Sequence, residues 1–179
     1  MNDYRQELKD ILMTRSILRG DFTLVSGKKS SYYINGKMTT LHSRGLYLAS
    51  SLLMKEFEDL EYDALAGPVI GADPIIGSML TLAAAEGMEK EGLLIRKGSK
   101  EHGTRKLVEG NITEGLRTVI VEDVVTTGGS LLKAAEAVKR EGGIIAGVGV
   151  IVDREEGGPE NIREAGYNFS SIFKVSELL

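Results

Sequence analysis

What most constrains the fold of this 179-residue chain is a set of short apolar runs set between stretches of helical spacing. Residues 64–66 run into Gly67-Pro68, residues 93–95 and 118–121 follow, residues 144–152 form the longest run after Gly142-Gly143, and residues 171–175 offer one more. A strand that stays apolar on successive positions is buried on both faces, as in a parallel sheet covered by helices. The intervening segments supply those helices. Leu46, Ala49, Leu53 and Phe57 share one helical face, residues 74–86 form a second helix, and Leu131, Ala134, Ala135 and Val138 share the face of a third. The expected fold class is α/β, a central, mostly parallel sheet flanked by helices, in one domain over residues 1–179. A chain of this length supports one substantial core.

The N-terminal part follows a different rhythm. Tyr4, Leu8, Ile11, Leu12 and Arg15 are spaced as a helix that Gly20 would end. Two β-like runs, residues 22–25 and 31–35, flank Ser26-Gly27-Lys28-Lys29 and read as a hairpin or a hood-like excursion. Residues 97–117 have almost no periodicity, and a stretch that long inside a compact domain is usually a functional lid or disordered.

Charge and composition exclude several classes of function. With no cysteine, neither a disulfide nor a thiolate zinc site can form. The first residues are mixed polar and charged, and no segment approaches the ~20 apolar residues that span a bilayer. A cytoplasmic protein with no membrane partner is therefore expected. A net charge of −4 argues against nucleic acid as the partner. Yet Arg96, Lys97, Lys100, Arg105 and Lys106 cluster around His102, a local cationic group better suited to a small anion. The plainer reading of such a run is a solvated basic loop.

The chemistry concentrates in Val119-Ile120-Val121-Glu122-Asp123-Val124-Val125-Thr126-Thr127-Gly128-Gly129-Ser130. A buried strand leads to two carboxylates where it leaves the sheet, the place where open parallel sheets bind ligands. Glycines and hydroxyls at a helix start then offer free N–H groups, backed by the helix dipole, to a phosphate. Acids do not favour a phosphate directly, so they suit hydroxyls or a substrate-borne metal. A sugar phosphate with a free diol meets both demands. The plainer alternative, a helix capped by Thr126 or Thr127, leaves the acids unexplained. The chain has neither a Walker loop nor Gly-x-Gly-x-x-Gly after a strand.

This segment resembles the phosphoribosyl pyrophosphate (PRPP) motif of type I phosphoribosyltransferases. That resemblance implies that Glu122 and Asp123 hold the ribose hydroxyls, that residues 126–130 cradle the 5-phosphate, and that Val124 and Val125 between them also bind PRPP. Three more segments resemble the orotate phosphoribosyltransferases in particular: residues 22–35 their N-terminal hood, residues 96–103 their mobile catalytic loop, and Asp153-Arg154 the site where an arginine meets the orotate carboxylate. Gly67-Pro68-Val69-Ile70-Gly71-Ala72 sits where the pyrophosphate loop would be.

The resemblance implies a type I phosphoribosyltransferase fold with a small hood from about residues 1–40 and the C-terminal end. Orotate and PRPP would be the substrates. Arg96, Lys97, Lys100 and His102 would bind PRPP and act at the pyrophosphate, while Thr126, Arg154, Tyr33 and Ile34 would meet orotate. Mg²⁺ would arrive with PRPP and need no direct protein cluster. A homodimer sharing active sites across its interface is also implied. The chain departs from the family in having Val25 where many members carry a lysine, and Ile34 where an aromatic is common.

Two other readings stay open on sequence. A purine phosphoribosyltransferase would share the PRPP motif without needing Arg154 for a carboxylate. A non-catalytic sensor of PRPP or nucleotides on the same fold could dispense with the loop cations, which this chain retains. His42 lies outside every such segment and reads as structural or surface.

Overall fold

The computed structural model describes residues 2–23, 29–96, 98 and 107–179. Six strands form the main sheet: β3 (Ala64–Pro68), β4 (Glu91–Ile95), β5 (Val108–Glu109), β6 (Arg117–Val125), β7 (Ile144–Asp153) and β8 (Phe169–Lys174). Their order is β5-β4-β3-β6-β7-β8, parallel throughout except for β5 against β4. The sheet is thus mostly parallel and flanked by helices, the expected α/β class.

Alternation along β6 explains the two layers, because successive side chains leave a strand on opposite faces. Val119 and Val121 pack into one core, with Leu48 and Leu53 of α3 (Ser43–Glu56), Phe57 just after it, and Ile75, Ile76 and Met79 of α4 (Asp73–Ala85). Ile120 points the other way, into a core with Leu131, Ala134 and Val138 of α5 (Gly129–Arg140) and Ile162 of α6 (Gly158–Glu164). All the side chains named here are almost fully removed from water, and burial of this kind is the dominant favourable contribution to folding.

Over the first layer lies a separate antiparallel pair, β1 (Ile17–Thr23) and β2 (Lys29–Ile34). Helix α1 (Asn2–Ile11) precedes it and the short α2 (Lys37–Thr40) follows. Leu8, Leu12 and Ile34 enter the same core as Val175 and Leu178 near the other end of the chain. Arg5 donates to the Ile172 carbonyl at 3.0 Å and pairs with Glu177 at 2.6 Å, and Arg19 donates to the Leu179 carbonyl at 2.9 Å.

Two sequence expectations are corrected here. The first helix does not run to Gly20: it passes through a π-helical turn at Leu12–Ser16, and Gly20 lies within β1. Cross-strand pairing of Ile17 with Ile34 and Leu18 with Tyr33 outweighs helical spacing there. The carboxylates Glu122 and Asp123 do not follow the strand but belong to it, with Glu122 in register with Val150 and Val124 with Val152.

The strand order places the site. From β3 the chain moves outward to β4, then returns to lay β6 on the other side of β3. The loops after β3 and β6 diverge, and the crevice between them is the binding position in open α/β sheets. Among the described residues, no helix is long and apolar enough to cross a membrane.

Candidate active site

A cleft of about 1260 Å³ opens over that crevice, lined by Lys37, Ile70, Gly71, Arg96, Glu122, Asp123 and Thr126 among others. Because Glu122 and Asp123 are neighbours in one strand, they leave it on opposite faces and do different work. Glu122 turns toward α5, where Ser130 Oγ donates to its Oε2 at 2.7 Å. Asp123 turns toward the other layer and is buried.

Asp123 fits only because two neighbours lack side chains. A Cβ on Gly36 would stand 2.6 Å from Asp123 Oδ2, and one on Gly71 would stand 2.8 Å from Oδ1. The carboxylate is thus gripped between the start of α2 and the loop after β3. The backbone N–H of Val124 donates to Oδ1 at 2.9 Å, and Lys37 Nζ lies 3.9 Å from Oδ2. Burial raises the Asp123 carboxyl above the ordinary range, with Lys37 and the Val124 N–H opposing that shift.

Beyond Asp123 the chain turns through Thr126 and Thr127 into α5. Gly128 caps that helix at φ +81°, a left-handed conformation open to glycine and costly for a branched residue. Asn161 Nδ2 of α6 donates to the Thr127 carbonyl at 2.9 Å, fastening the turn from behind. The helix opens at Gly129 with Ser130 lining the cleft, and the first N–H groups of a helix favour a phosphate.

At the end of β7, the Arg154 N–H donates to the Val125 carbonyl at 3.0 Å, joining it to the strand that carries the acids. The Arg154 residue is only 8% exposed. Its guanidinium pairs with Glu156 at 2.8 Å and lies 5.5 Å from the centre of the Tyr32 ring. Its Nε is buried and has no hydrogen-bond partner among the described residues. Asp153 beside it is also buried; burial raises its carboxyl, while the Glu155 N–H, donating at 2.8 Å, opposes the shift. Neither Arg154 nor Tyr32 is among the residues lining the cleft, whereas Arg96 is, paired with Glu109 at 3.2 Å and with its backbone N–H donating to the Leu107 carbonyl at 2.9 Å.

The pattern described as phosphoribosyl transferase domain matches residues 48–172. An orotate phosphoribosyltransferase of Pyrococcus horikoshii is 40% identical over 177 residues, covering 97% of this chain and 92% of that protein. One from Rhodopseudomonas palustris is 44% identical over 179 residues. The solved orotate phosphoribosyltransferase of Mycobacterium tuberculosis superposes with a TM-score of 0.86 at 34% identity, covering 98% of each chain. This chain belongs to the orotate phosphoribosyltransferase family. A second structure of the mycobacterial enzyme, in complex with PRPP, gives a TM-score of 0.83 at 32% identity. An adenine phosphoribosyltransferase of Thermoanaerobacter pseudethanolicus, at 19% identity and a TM-score of 0.68, shares the fold.

In this orotate phosphoribosyltransferase family member, Arg96, Glu122, Asp123, Thr126 and Ser130 all line the one cleft. Lys97, Lys100 and His102 lie outside the described residues, as do Val25 and Lys28. On β2, alternation separates the two residues expected at orotate. Tyr33 is on the outer face, its ring 5.8 Å from that of Phe22, and Ile34 is in the core. The ring that meets Arg154 is that of Tyr32.

Sequence reasoning missed Tyr32, Lys37 and the Gly36 side of the grip on Asp123. Period-two alternation was a usable signal for Tyr32, since residues 32 and 34 share a face. Nothing local marks Gly36-Lys37, because their partner is 86 positions further along the chain. His42 caps α3, with its Nδ1 accepting from the Gly45 N–H at 3.3 Å, which is a structural role.

Proposed function

We propose that this chain transfers the 5-phosphoribosyl group of PRPP to orotate, forming orotidine 5′-phosphate and releasing pyrophosphate. The observation that carries this reading is the buried Arg154 guanidinium, its Nε unpartnered among the described residues, fastened directly to the strand that bears Glu122 and Asp123. A planar guanidinium in that position suits a carboxylate, which orotate has and the purine bases lack.

In the reaction, a ring nitrogen of orotate forms a bond to ribose C1 while the bond from C1 to the pyrophosphate oxygen breaks. Positive charge develops on the sugar ring, as in glycoside cleavage. Asp123 and Glu122 grip the ribose hydroxyls from opposite sides, and residues 126–130 hold the 5-phosphate. Arg154 orients orotate through its carboxylate, with Tyr32 along the edge of that pocket and Thr126 within reach of the ring. Arg96, with Lys97, Lys100 and His102, meets the charge growing on the leaving pyrophosphate. Closure of the unpatterned segment 97–117 would keep water from the oxocarbenium-like centre.

Among the described residues, no three His, Asp or Glu side chains converge on one point. A Mg²⁺ would be held mainly by substrate oxygens and water, with Glu122 or Asp123 reaching it through water. Such an ion supplies further neutralisation of the pyrophosphate. The reading includes a cytoplasmic homodimer whose 96–103 loop reaches the neighbouring site. It also takes residues 1–179 as one domain, with the hood built from about residues 1–40 and the C-terminal end, an arrangement supported by the Arg5–Glu177 and Arg19–Leu179 contacts.

The test is the loss of orotate absorbance on mixing the chain with PRPP and magnesium. Turnover with adenine or hypoxanthine and none with orotate would replace this reading with a purine enzyme. PRPP binding without any turnover would make the protein a sensor.

A further inference from the structure

We propose that Lys37, which belongs to none of the recognisable sequence motifs, binds the anionic diphosphate end of the ribosyl substrate. This inference rests on the function proposed above and adds a residue to it. Position 37 is aimed by its neighbour. With no side chain at Gly36, the start of α2 presses against Asp123, and Lys37 is delivered to the wall of the cleft beside Ile70 and Gly71. Its side chain is still 48% exposed, and Nζ stands 3.9 Å from Asp123 Oδ2. That distance lies within ion-pair range but beyond a hydrogen bond. The ammonium is therefore held loosely, by charge alone, at the mouth of the crevice.

The described lining shows what an ammonium offsets at this point. Among the described lining residues, Glu109, Glu122 and Asp123 are acidic, and Lys37 and Arg96 are the basic ones. Arg96 already leans on Glu109 at 3.2 Å. Each of those carboxylates repels a substrate as anionic as a ribosyl diphosphate, and an ammonium beside Asp123 offsets the repulsion there. An exposed pair at the limit of contact adds little to folding, so structural support is a poor account of Lys37. When the ribose diol engages the Asp123 oxygens, the ammonium loses its fixed partner and is free to meet phosphate oxygens at the same mouth. Lysine suits this task because it is a point charge on a flexible stem, able to move from one anion to another.

The test combines kinetics with calorimetry of inorganic pyrophosphate binding. Lys37→Ala is expected to raise the KM for PRPP about tenfold and weaken pyrophosphate binding alike, the size of one charge-assisted contact. The KM for orotate should stay within about a factor of two, and Lys37→Arg should restore most of the loss, since charge matters more here than shape. Lys37→Gln serves if the alanine variant folds poorly. In an Asp123→Asn background, Lys37→Ala should weaken pyrophosphate binding further. No further loss there would reduce Lys37 to a positioning residue for Asp123 and overturn the proposal, as would an unchanged KM for PRPP or an equal rise in both KM values. Wild-type turnover with orotate, run alongside, judges the reaction itself. If the wild type is inactive, the proposed function fails, while pyrophosphate binding still decides the role of Lys37.

Discussion

The two arginines assigned to the substrates in the proposed reaction are held in contrasting ways. Arg154, after β7, is shut into the protein by Glu156, the Tyr32 ring and its own backbone bond to Val125. Arg96, after β4, is much more open, with 37% of its side chain exposed, and it leans on Glu109 of β5. A fixed guanidinium reads the shape of a planar, rigid acid. An open one can follow charge as it moves onto a departing group. On the proposed assignment the site has a preorganised end for the base and an adaptable end for the diphosphate, and that division can be tested by substitution.

The largest effect should come from the rigid end. Arg154→Ala is expected to raise the KM for orotate by on the order of a hundredfold, since truncating one side of a buried, hydrogen-bonded charge contact costs about 2–5 kcal/mol. The KM for PRPP should move far less, and Arg154→Lys should recover little because an ammonium cannot reproduce the planar fork. Equal rises in both KM values would erase the contrast between the two ends.

Asp123→Asn comes next and should weaken PRPP binding at least tenfold, roughly the loss of one hydrogen bond to a charged group. The same substitution should raise the melting temperature near neutral pH. The sign follows from burial: the folded-state carboxyl titrates above its unfolded value. Its contribution to stability is then complete below the unfolded value of about 3.9 and is lost as pH rises through the folded one. At neutral pH the buried charge is a cost that asparagine removes. The gain should fade in melts run at progressively more acid pH, and a melting temperature that drops at pH 7 would contradict it.

Gly71→Ala should be milder. Its new Cβ, 2.8 Å from Asp123 Oδ1, forces the carboxylate aside, raising the KM for PRPP roughly fivefold, about 1 kcal/mol, with that for orotate nearly unchanged. The smallest effect belongs to Glu109→Gln, which releases Arg96 and should lower the KM for PRPP about twofold at low ionic strength, an advantage that salt screens away. A rise in KM instead would show that Glu109 aims Arg96 rather than competing for it.

These same regions differ in how much of them the sequence discloses. Continuous apolar runs marked β3, β6 and β7 as buried parallel strands, and Gly128-Gly129 after β6 marked the phosphate turn, because each signal is local. The division of labour between Glu122 and Asp123 was not apparent, since the strand continues past both residues and only its pairing with β7 shows this. The grip on Asp123 by Gly36 and Gly71 depends on three distant segments meeting at one carboxylate. Arg154 was identified as a cation, but its enclosure by Tyr32 and Glu156 required the placement of β2 over the end of β7. The end of the first helix was misplaced because the pairing of Ile17 with Ile34 is non-local.

The placement of two adjacent acids on one pleated strand has a consequence for how such a gene can drift. Between Arg117 and Val125 the chain should accept changes of identity far more readily than changes of length. Losing one codon there would send the Asp123 side chain toward α5 and the Glu122 side chain into a slot shaped by two glycines and too narrow for it. An alignment of functioning descendants should therefore show varied apolar residues before the acids and no gap.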